Sequence, residues 1–178
     1  MSTNHSFRIA VHAVMMRHHE GQREVLLGQR INTSYGDGLY SFPAGHVEMF
    51  EPPHIALQRE TREELGVVPA FKQLADRQPA LITQHLKDYG PTAAAQNRFR
   101  HYTEYFFRVP EWEGQLHNAE PDKCADLRFF PLNALPRNML PLTTHALDQM
   151  EKRNAGVSDF GWDNPDFPHW KQRWGLGG

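Results

Sequence analysis

The chain has 178 residues, and 39% of them are hydrophobic, which suits one globular domain with its own core. A formal net charge of −2 and the absence of a dense lysine or arginine run argue against a partner that is a nucleic-acid polymer. The single cysteine, Cys124, excludes an intramolecular disulfide framework and suits a reducing cytoplasm, and neither a signal peptide nor a membrane span is expected from the hydropathy pattern.

The first half of the chain predicts three strands and a helix. Residues Arg8–Met16 and Val25–Gly28 are rich in β-branched and apolar side chains and are expected to pair as a hairpin. A short strand follows at Leu39–Phe42. Residues 53–65 then predict a helix, because prolines suit its first turn and Gly66 stands where a C-terminal cap belongs.

The second half predicts further strands near Ala80–Thr83, at Arg100–Val109 and at Asp126–Phe130, and a helix at Leu142–Arg153. A polar loop is expected at 87–100. The resulting order, β-β-β-α-β-β-β-α, indicates a mixed α/β or α+β sandwich.

One domain is expected at residues 1–154. Residues 155–178 hold three of the four tryptophans and are expected to form an aromatic-rich tail. This tail is predicted to be irregular and to lie against the same domain or at a subunit interface, where aromatic side chains are favoured.

The predicted helix 53–65 gathers like charges on one face. Glu60, Glu63 and Glu64 are spaced i, i+3 and i+4, so their carboxylates lie side by side and repel one another. Leu57 and Leu65 belong to an adjacent apolar stripe that can dock on a sheet. The acidic face is either a solvated surface or a site for a hard divalent cation, Mg²⁺ or Mn²⁺, which prefers oxygen ligands.

The full segment resembles the signature of the Nudix hydrolases, G-x5-E-x7-R-E-U-x-E-E-x-G-U, where U is a bulky aliphatic residue. All charged and glycine positions of this Nudix box match over residues 45–67, and Thr61 replaces the first aliphatic residue. The matching positions are Gly45, Glu51, Arg59, Glu60, Glu63, Glu64, Gly66 and Val67.

The resemblance implies an α+β fold, the Nudix α/β/α sandwich with a central mixed β-sheet and a loop-helix-loop. It implies hydrolysis of a phosphoanhydride bond in a small-molecule nucleotide, with no nucleic-acid polymer or membrane as partner, and it suggests a homodimer. Glu60, Glu63 and Glu64 would then be catalytic and bind Mg²⁺ or Mn²⁺, together with the backbone carbonyl of Gly45. Arg59 and Glu51 would form an ion pair that orients these glutamates.

Five residues outside this core of the box are further candidates, each with a simpler alternative. Glu120, in 118-NAEPDKC-124, is either an extra metal ligand or base of the MutT-like subgroup or part of a polar turn. By the same resemblance Asn138 either reads a purine edge or caps a helix. Arg30 either binds phosphate or ends a strand, Glu48 either reaches substrate or is solvated, and Phe42 either stacks on a base or belongs to the core.

The favoured function is a Mg²⁺-dependent, MutT-like pyrophosphohydrolase that converts nucleoside triphosphates into nucleoside monophosphate and pyrophosphate. The first alternative is an ADP-ribose or nucleotide-sugar pyrophosphatase, which would carry the same box. The second is a non-catalytic, nucleotide-sensing Nudix domain. The sequence leaves open which base is preferred and which glutamate is the general base.

Overall fold

The computed structural model describes residues 7–33, 35–89, 99–152 and 156–163. Within them the elements are, in chain order, β1 Arg8–His19, β2 Gln22–Arg30, β3 Tyr40–Ser41, β4 Ala44–His46, α1 Pro53–Leu65, β5 Val68–Pro69, a 3₁₀ turn at Leu74–Arg77, β6 Leu81–Asp88, β7 Phe99–Val109, β8 Trp112–Glu113, β9 Cys124–Pro131, α2 Pro141–Glu151 and β10 Gly156–Phe160. None of the helices in this part of the chain is long and apolar enough to cross a membrane.

A mixed sheet with the strand order β10-β6-β7-β1-β2-β3 forms the centre of the molecule. Strand β1 runs parallel to β7, and β10 runs parallel to β6, whereas β1 and β2 form the expected antiparallel hairpin. Strand β4 joins the start of β1, and β9 pairs with β2. The long strand β1 therefore joins the β7 side of the sheet to the β2 side. It also brings β4 beside α1, the helix that follows β4 in the chain.

Helix α1 forms where the sequence predicts it. It begins at Pro53, whose missing N–H costs little in a first turn, and it ends at Gly66, which adopts φ 69° and caps the helix through its backbone N–H. Leu57, Thr61 and Leu65 are buried, so this stripe attaches the helix to the sheet.

The two helices cover opposite faces of the sheet, each with its own core. Around α1 the buried side chains include Val11, Met15, Leu26, Leu57, Leu65 and Phe107. Around α2 they include Val14, Leu27, Phe42, Phe106, Leu147 and Met150. The predicted α+β sandwich with a central mixed sheet is thus confirmed.

Some local predictions were wrong. Residues 156–160 form strand β10 rather than irregular structure, because their backbone pairs with β6. Strand β6 extends to Asp88, so the predicted polar loop at 87–100 begins too early, and its middle, 90–98, lies outside the described residues. The tail beyond residue 163, with Trp170 and Trp174, also lies outside them.

Candidate active site

Helix α1 presents its acidic face to strand β4. The backbone N–H of Ala44 donates a hydrogen bond of 3.0 Å to Oε2 of Glu64, which fixes that carboxylate beside the strand. Gly45 comes even closer to the helix, since a Cβ added there would lie 1.8 Å from the carboxyl carbon of Glu60. Any side chain at residue 45 would therefore displace the carboxylate of Glu60 from its present position.

Arg59 links several of the acidic residues to one another. Its Nε and one terminal nitrogen donate to the two oxygens of Glu51, at 3.0 and 2.9 Å. The other terminal nitrogen donates to Glu60 at 2.7 Å and contacts Glu63 at 3.4 Å. The guanidinium also donates to the carbonyl of His46, so one side chain fixes the loop, the strand and the helix. The expected ion pair between Arg59 and Glu51 is present.

A cavity of about 360 Å³ opens in front of these carboxylates. It brings together eight of the residues singled out in the sequence: Arg30, Phe42, Gly45, Glu48, Glu60, Glu63, Glu64 and Glu120. Phe42 lines the cavity although only 2% of its surface is exposed, so it belongs both to the core and to the wall.

The remaining predicted residues lie elsewhere. Arg59 and Glu51 stand behind the carboxylates and are not part of the cavity wall. Asn138 also lies off both described cavities, and its side-chain amide donates to the carbonyl of Gly38 at 2.8 Å. That hydrogen bond stabilises the loop before β3, and it engages the amide that the sequence suggested for reading a purine.

Lys123 is a residue of the cavity wall that the sequence analysis missed. It pairs with Glu120 at 2.8 Å, three residues earlier in the chain. Together with Arg30 it adds basic side chains to the lining of the cavity. Its position in NAEPDKC could have identified Lys123, because a basic residue three positions after the candidate ligand Glu120 is expected on the same side of a turn.

Burial disfavours the ionised form of the carboxylates in the cavity, and their mutual repulsion adds to this effect. Burial raises the pKa of Glu64 to about 8, and the charges of Glu60 and Glu120 add to the effect. Burial likewise raises the pKa of Glu60, although Arg59 opposes this shift. A site that assembles buried carboxylates at such a cost in free energy suits a cation that would neutralise them.

Within the described residues, no three histidine, cysteine, aspartate or glutamate side chains converge as a ready-made ion cage. The reason is visible in the pairing, since Glu60 is turned to Arg59 and Glu120 to Lys123. The set of donors still fits a hard divalent cation, because it offers several carboxylate oxygens and an excess of negative charge.

Comparisons with known proteins agree with this geometry. The family model described as NUDIX domain matches residues 6–151. An "8-oxo-dGTP diphosphatase" of Escherichia coli (strain K12) is 28% identical over 111 residues, which cover 62% of this chain and 74% of that protein. A protein of Proteus vulgaris with the same description is 34% identical over 92 residues, covering 52% and 69%.

A solved structure shares the fold. The MutT NUDIX hydrolase from Burkholderia pseudomallei superimposes with a TM-score of 0.65 and 26% identity, covering 81% of this chain and 98% of that one. The family match, the fold and the carboxylate helix all lead to the same conclusion. This chain belongs to the Nudix family and is a Nudix pyrophosphohydrolase.

Proposed function

We propose that this protein is a Mg²⁺-dependent nucleoside triphosphate pyrophosphohydrolase that releases nucleoside monophosphate and pyrophosphate, with Mn²⁺ as a substitute metal. The observation that carries the proposal is the cavity itself, whose lining combines the carboxylates of α1 with two basic side chains, Arg30 and Lys123. The similarity to two 8-oxo-dGTP diphosphatases supports a nucleoside triphosphate as substrate.

Nudix hydrolases in general use divalent metal cations. Here Glu60, Glu63, Glu64 and the carbonyl of Gly45 would hold the ion, with Glu120 approaching from the loop before β9. When bound, the ion would neutralise charge between these carboxylates and the substrate phosphates.

The protein's own groups perform the remaining work. Arg30 is fixed by a hydrogen bond from its Nε to the carbonyl of Tyr35, at 3.0 Å, and its guanidinium suits a phosphate oxygen. Lys123 provides a second cation on the same side. Both hold the triphosphate so that one phosphorus faces the glutamates.

Water then attacks that phosphorus, and the phosphoanhydride bond to the leaving pyrophosphate breaks. A glutamate of the cluster accepts the proton of the attacking water. Glu64 is our choice, because it combines a raised pKa with a fixed orientation toward the cavity. Glu60 is the alternative base.

A substrate screen in Mg²⁺ tests the function. Pyrophosphate and orthophosphate are measured separately for deoxynucleoside triphosphates, 8-oxo-dGTP, ADP-ribose and a nucleotide sugar. We expect pyrophosphate from the triphosphates, loss of turnover in Glu64→Gln, and normal turnover in Arg62→Gln, a matched control that is exposed on the same helix. Hydrolysis in oxygen-18 water identifies the attacked phosphorus, since only the product that contains it carries the label.

Turnover restricted to ADP-ribose or the nucleotide sugar would overturn the substrate assignment while leaving the metal site intact. Absence of metal-dependent turnover for every compound would overturn the function itself.

We further propose a cytoplasmic homodimer, to which the tail contributes. Because β10 belongs to the sheet and Trp162 donates from Nε1 to the carbonyl of Gln84, a truncation should retain residues 1–163. Light scattering of the full chain and of this truncated chain tests the proposal. A dimer that persists without residues 164–178 would exclude those residues from the interface, and a monomeric full chain would exclude the dimer.

A further inference from the structure

A second cavity, of about 120 Å³, opens beside the first. The two share a common wall formed by Arg30, Ser41, Phe42, Ala44, Gly45 and His46. The far end of the second cavity is lined by His12, His85, Lys87, Tyr102, Glu104, Leu140, Leu142 and Thr143. The two cavities therefore adjoin, and the second is the neighbouring space available to the base of a nucleotide whose phosphates lie on the carboxylates of the first.

Lys87 is held in this second cavity by aromatic faces. Its Nζ lies 4.2 Å from the ring centroid of Tyr35, 5.1 Å from that of Tyr89 and 5.2 Å from that of Tyr102. The hydroxyls of Tyr89 and Tyr102 are hydrogen-bonded to each other at 2.8 Å, which fixes two of the three rings. Within the described residues the Nζ of Lys87 makes these cation–π contacts and no hydrogen bond, so its N–H groups can donate to a ligand.

Glu104, the carboxylate whose charge acts on Lys87, is already hydrogen-bonded to two histidines. Glu104 is 3% exposed, and its two oxygens accept hydrogen bonds from His12 at 2.8 Å and from His85 at 3.0 Å. Although burial opposes ionisation, these hydrogen bonds hold the pKa of Glu104 well below its usual range. Glu104 is thus a fixed anion, and each of its oxygens accepts one hydrogen bond from a histidine.

The field in this cavity is otherwise positive. Burial lowers the pKa of Lys87 to about 8, against the opposing charge of Glu104. The remaining contributions come from three arginines that lower it further: Arg30, Arg100 and Arg8. His46, on the common wall, has its pKa lowered mainly by burial, and the charges of Arg8 and Lys87 lower it further. A ligand group that carries partial negative charge is favoured here over one that carries partial positive charge.

We propose that the second cavity receives the nucleobase and that Lys87 determines specificity by donating a hydrogen bond to a carbonyl oxygen on the edge of the base. Bases with a carbonyl at this edge, guanine and thymine, are then preferred over adenine and cytosine, which present an amino group there. An amino group in the same position would face the ammonium donor and could not accept its hydrogen bond. This inference rests on the proposed function only in taking the ligand to be a nucleotide.

The test compares kcat/KM for dGTP and dTTP with kcat/KM for dATP and dCTP. We expect the wild type to favour the carbonyl bases, and Lys87→Met to lower kcat/KM for them about 10- to 100-fold, mainly through KM, since a charge-assisted hydrogen bond is lost. The values for dATP and dCTP should change by about twofold or less. Lys87→Arg keeps the cation and should keep part of the preference.

Lys123→Met serves as the contrast, because Lys123 lines the phosphate cavity and its loss should weaken all four substrates alike. An equal loss for all four substrates in Lys87→Met would overturn the inference, as would a wild type that prefers adenine or cytosine. A preference as low in Lys87→Arg as in Lys87→Met would overturn the role of the charge.

Binding without catalysis separates this inference from the proposed function. Calorimetry of dGMP and dAMP with the wild-type protein needs no turnover and no variant. Tighter binding of dGMP by about 10-fold supports the base site even if no triphosphate is hydrolysed, whereas equal binding overturns it even if hydrolysis is confirmed.

Discussion

Replacing Glu64 with glutamine should stabilise the metal-free protein at alkaline pH. Burial and the neighbouring carboxylates raise the pKa of Glu64 from 4.5 to about 8. Each unit corresponds to about 1.4 kcal/mol, so the ionised side chain costs at most about 5 kcal/mol of folding free energy at pH 8. We expect about half of this, because Glu64 is only partly buried and water in the cavity screens the charge.

The sign follows from the direction of the shift. Below pH 4.5 the carboxyl is protonated in both the folded and the unfolded chain, so it has no net effect on stability. Between pH 4.5 and about 8 only the unfolded chain ionises, so the wild type loses stability as the pH rises. Glutamine does not titrate, and its amide oxygen can still accept the hydrogen bond from the N–H of Ala44.

Urea unfolding in EDTA at pH 5 and pH 8 measures the free energy of unfolding of the wild type and of Glu64→Gln. The effect is the difference between the two proteins at each pH, because the contributions of the other titrating groups cancel in that difference. Glu63→Gln is the matched control, because its side chain on the same helix is 54% exposed and should show little pH-dependent difference from the wild type. Adding Mg²⁺ should stabilise the wild type and have much less effect on Glu64→Gln. A variant that is less stable than the wild type at pH 8 in EDTA would refute the reasoning.

Three further substitutions test separate parts of the structure. Arg59→Lys should lower kcat/KM about 10- to 100-fold with little change in unfolding temperature, because lysine cannot reproduce the forked hydrogen bonds that hold the glutamates; an unchanged kcat/KM would contradict this role. Phe50→Gly should raise the free energy of unfolding by about 1 kcal/mol, because Phe50 is 97% exposed and adopts φ 66°, a region that favours glycine. Met49→Gly is the control, since Met49 is an exposed neighbour without a positive φ, and this substitution should not stabilise the protein. A Phe50→Gly protein less stable than the wild type would show that the backbone at Phe50 is not strained. Glu104→Gln should lower the free energy of unfolding by about 2–4 kcal/mol at pH 7, as measured by urea unfolding. Because the pKa of Glu104 is lowered in the folded protein, its ionised carboxylate stabilises the wild type above pH 4.5, and this stabilisation is lost as the pH falls below 4.5. The variant should therefore lose less stability than the wild type in acid, and equal acid sensitivity of the two proteins would contradict the prediction.

The features that could be predicted are those encoded locally. Helix α1 followed from its prolines, the cap at Gly66 and a buried stripe, all of which act within a few residues of one another. The spacing of Glu60, Glu63 and Glu64 placed three carboxylates on one face whatever the rest of the chain does. The match to the Nudix box then implied the metal chemistry and the α/β/α fold.

Other features depend on contacts between residues far apart in the chain. The pairing of β10 with β6 joins segments about 75 residues apart, and no local pattern distinguishes such an edge strand from an irregular tail. The same holds for Asn138, whose amide reaches Gly38, 100 residues earlier. A polar residue read in isolation has several possible partners, and only the folded chain selects one.

The second cavity shows this division most clearly. Sequence alone supplied Lys87, Glu104 and scattered histidines, each of which is an ordinary polar residue on a strand. The parallel pairing of β1 with β7 and the antiparallel pairing of β7 with β6 bring His12, Glu104 and His85 together across three strands. Sequence therefore determined the carboxylate helix and its chemistry, whereas tertiary structure decided which groups face the substrate, because burial and charge at a point in space are sums over residues distant in the chain.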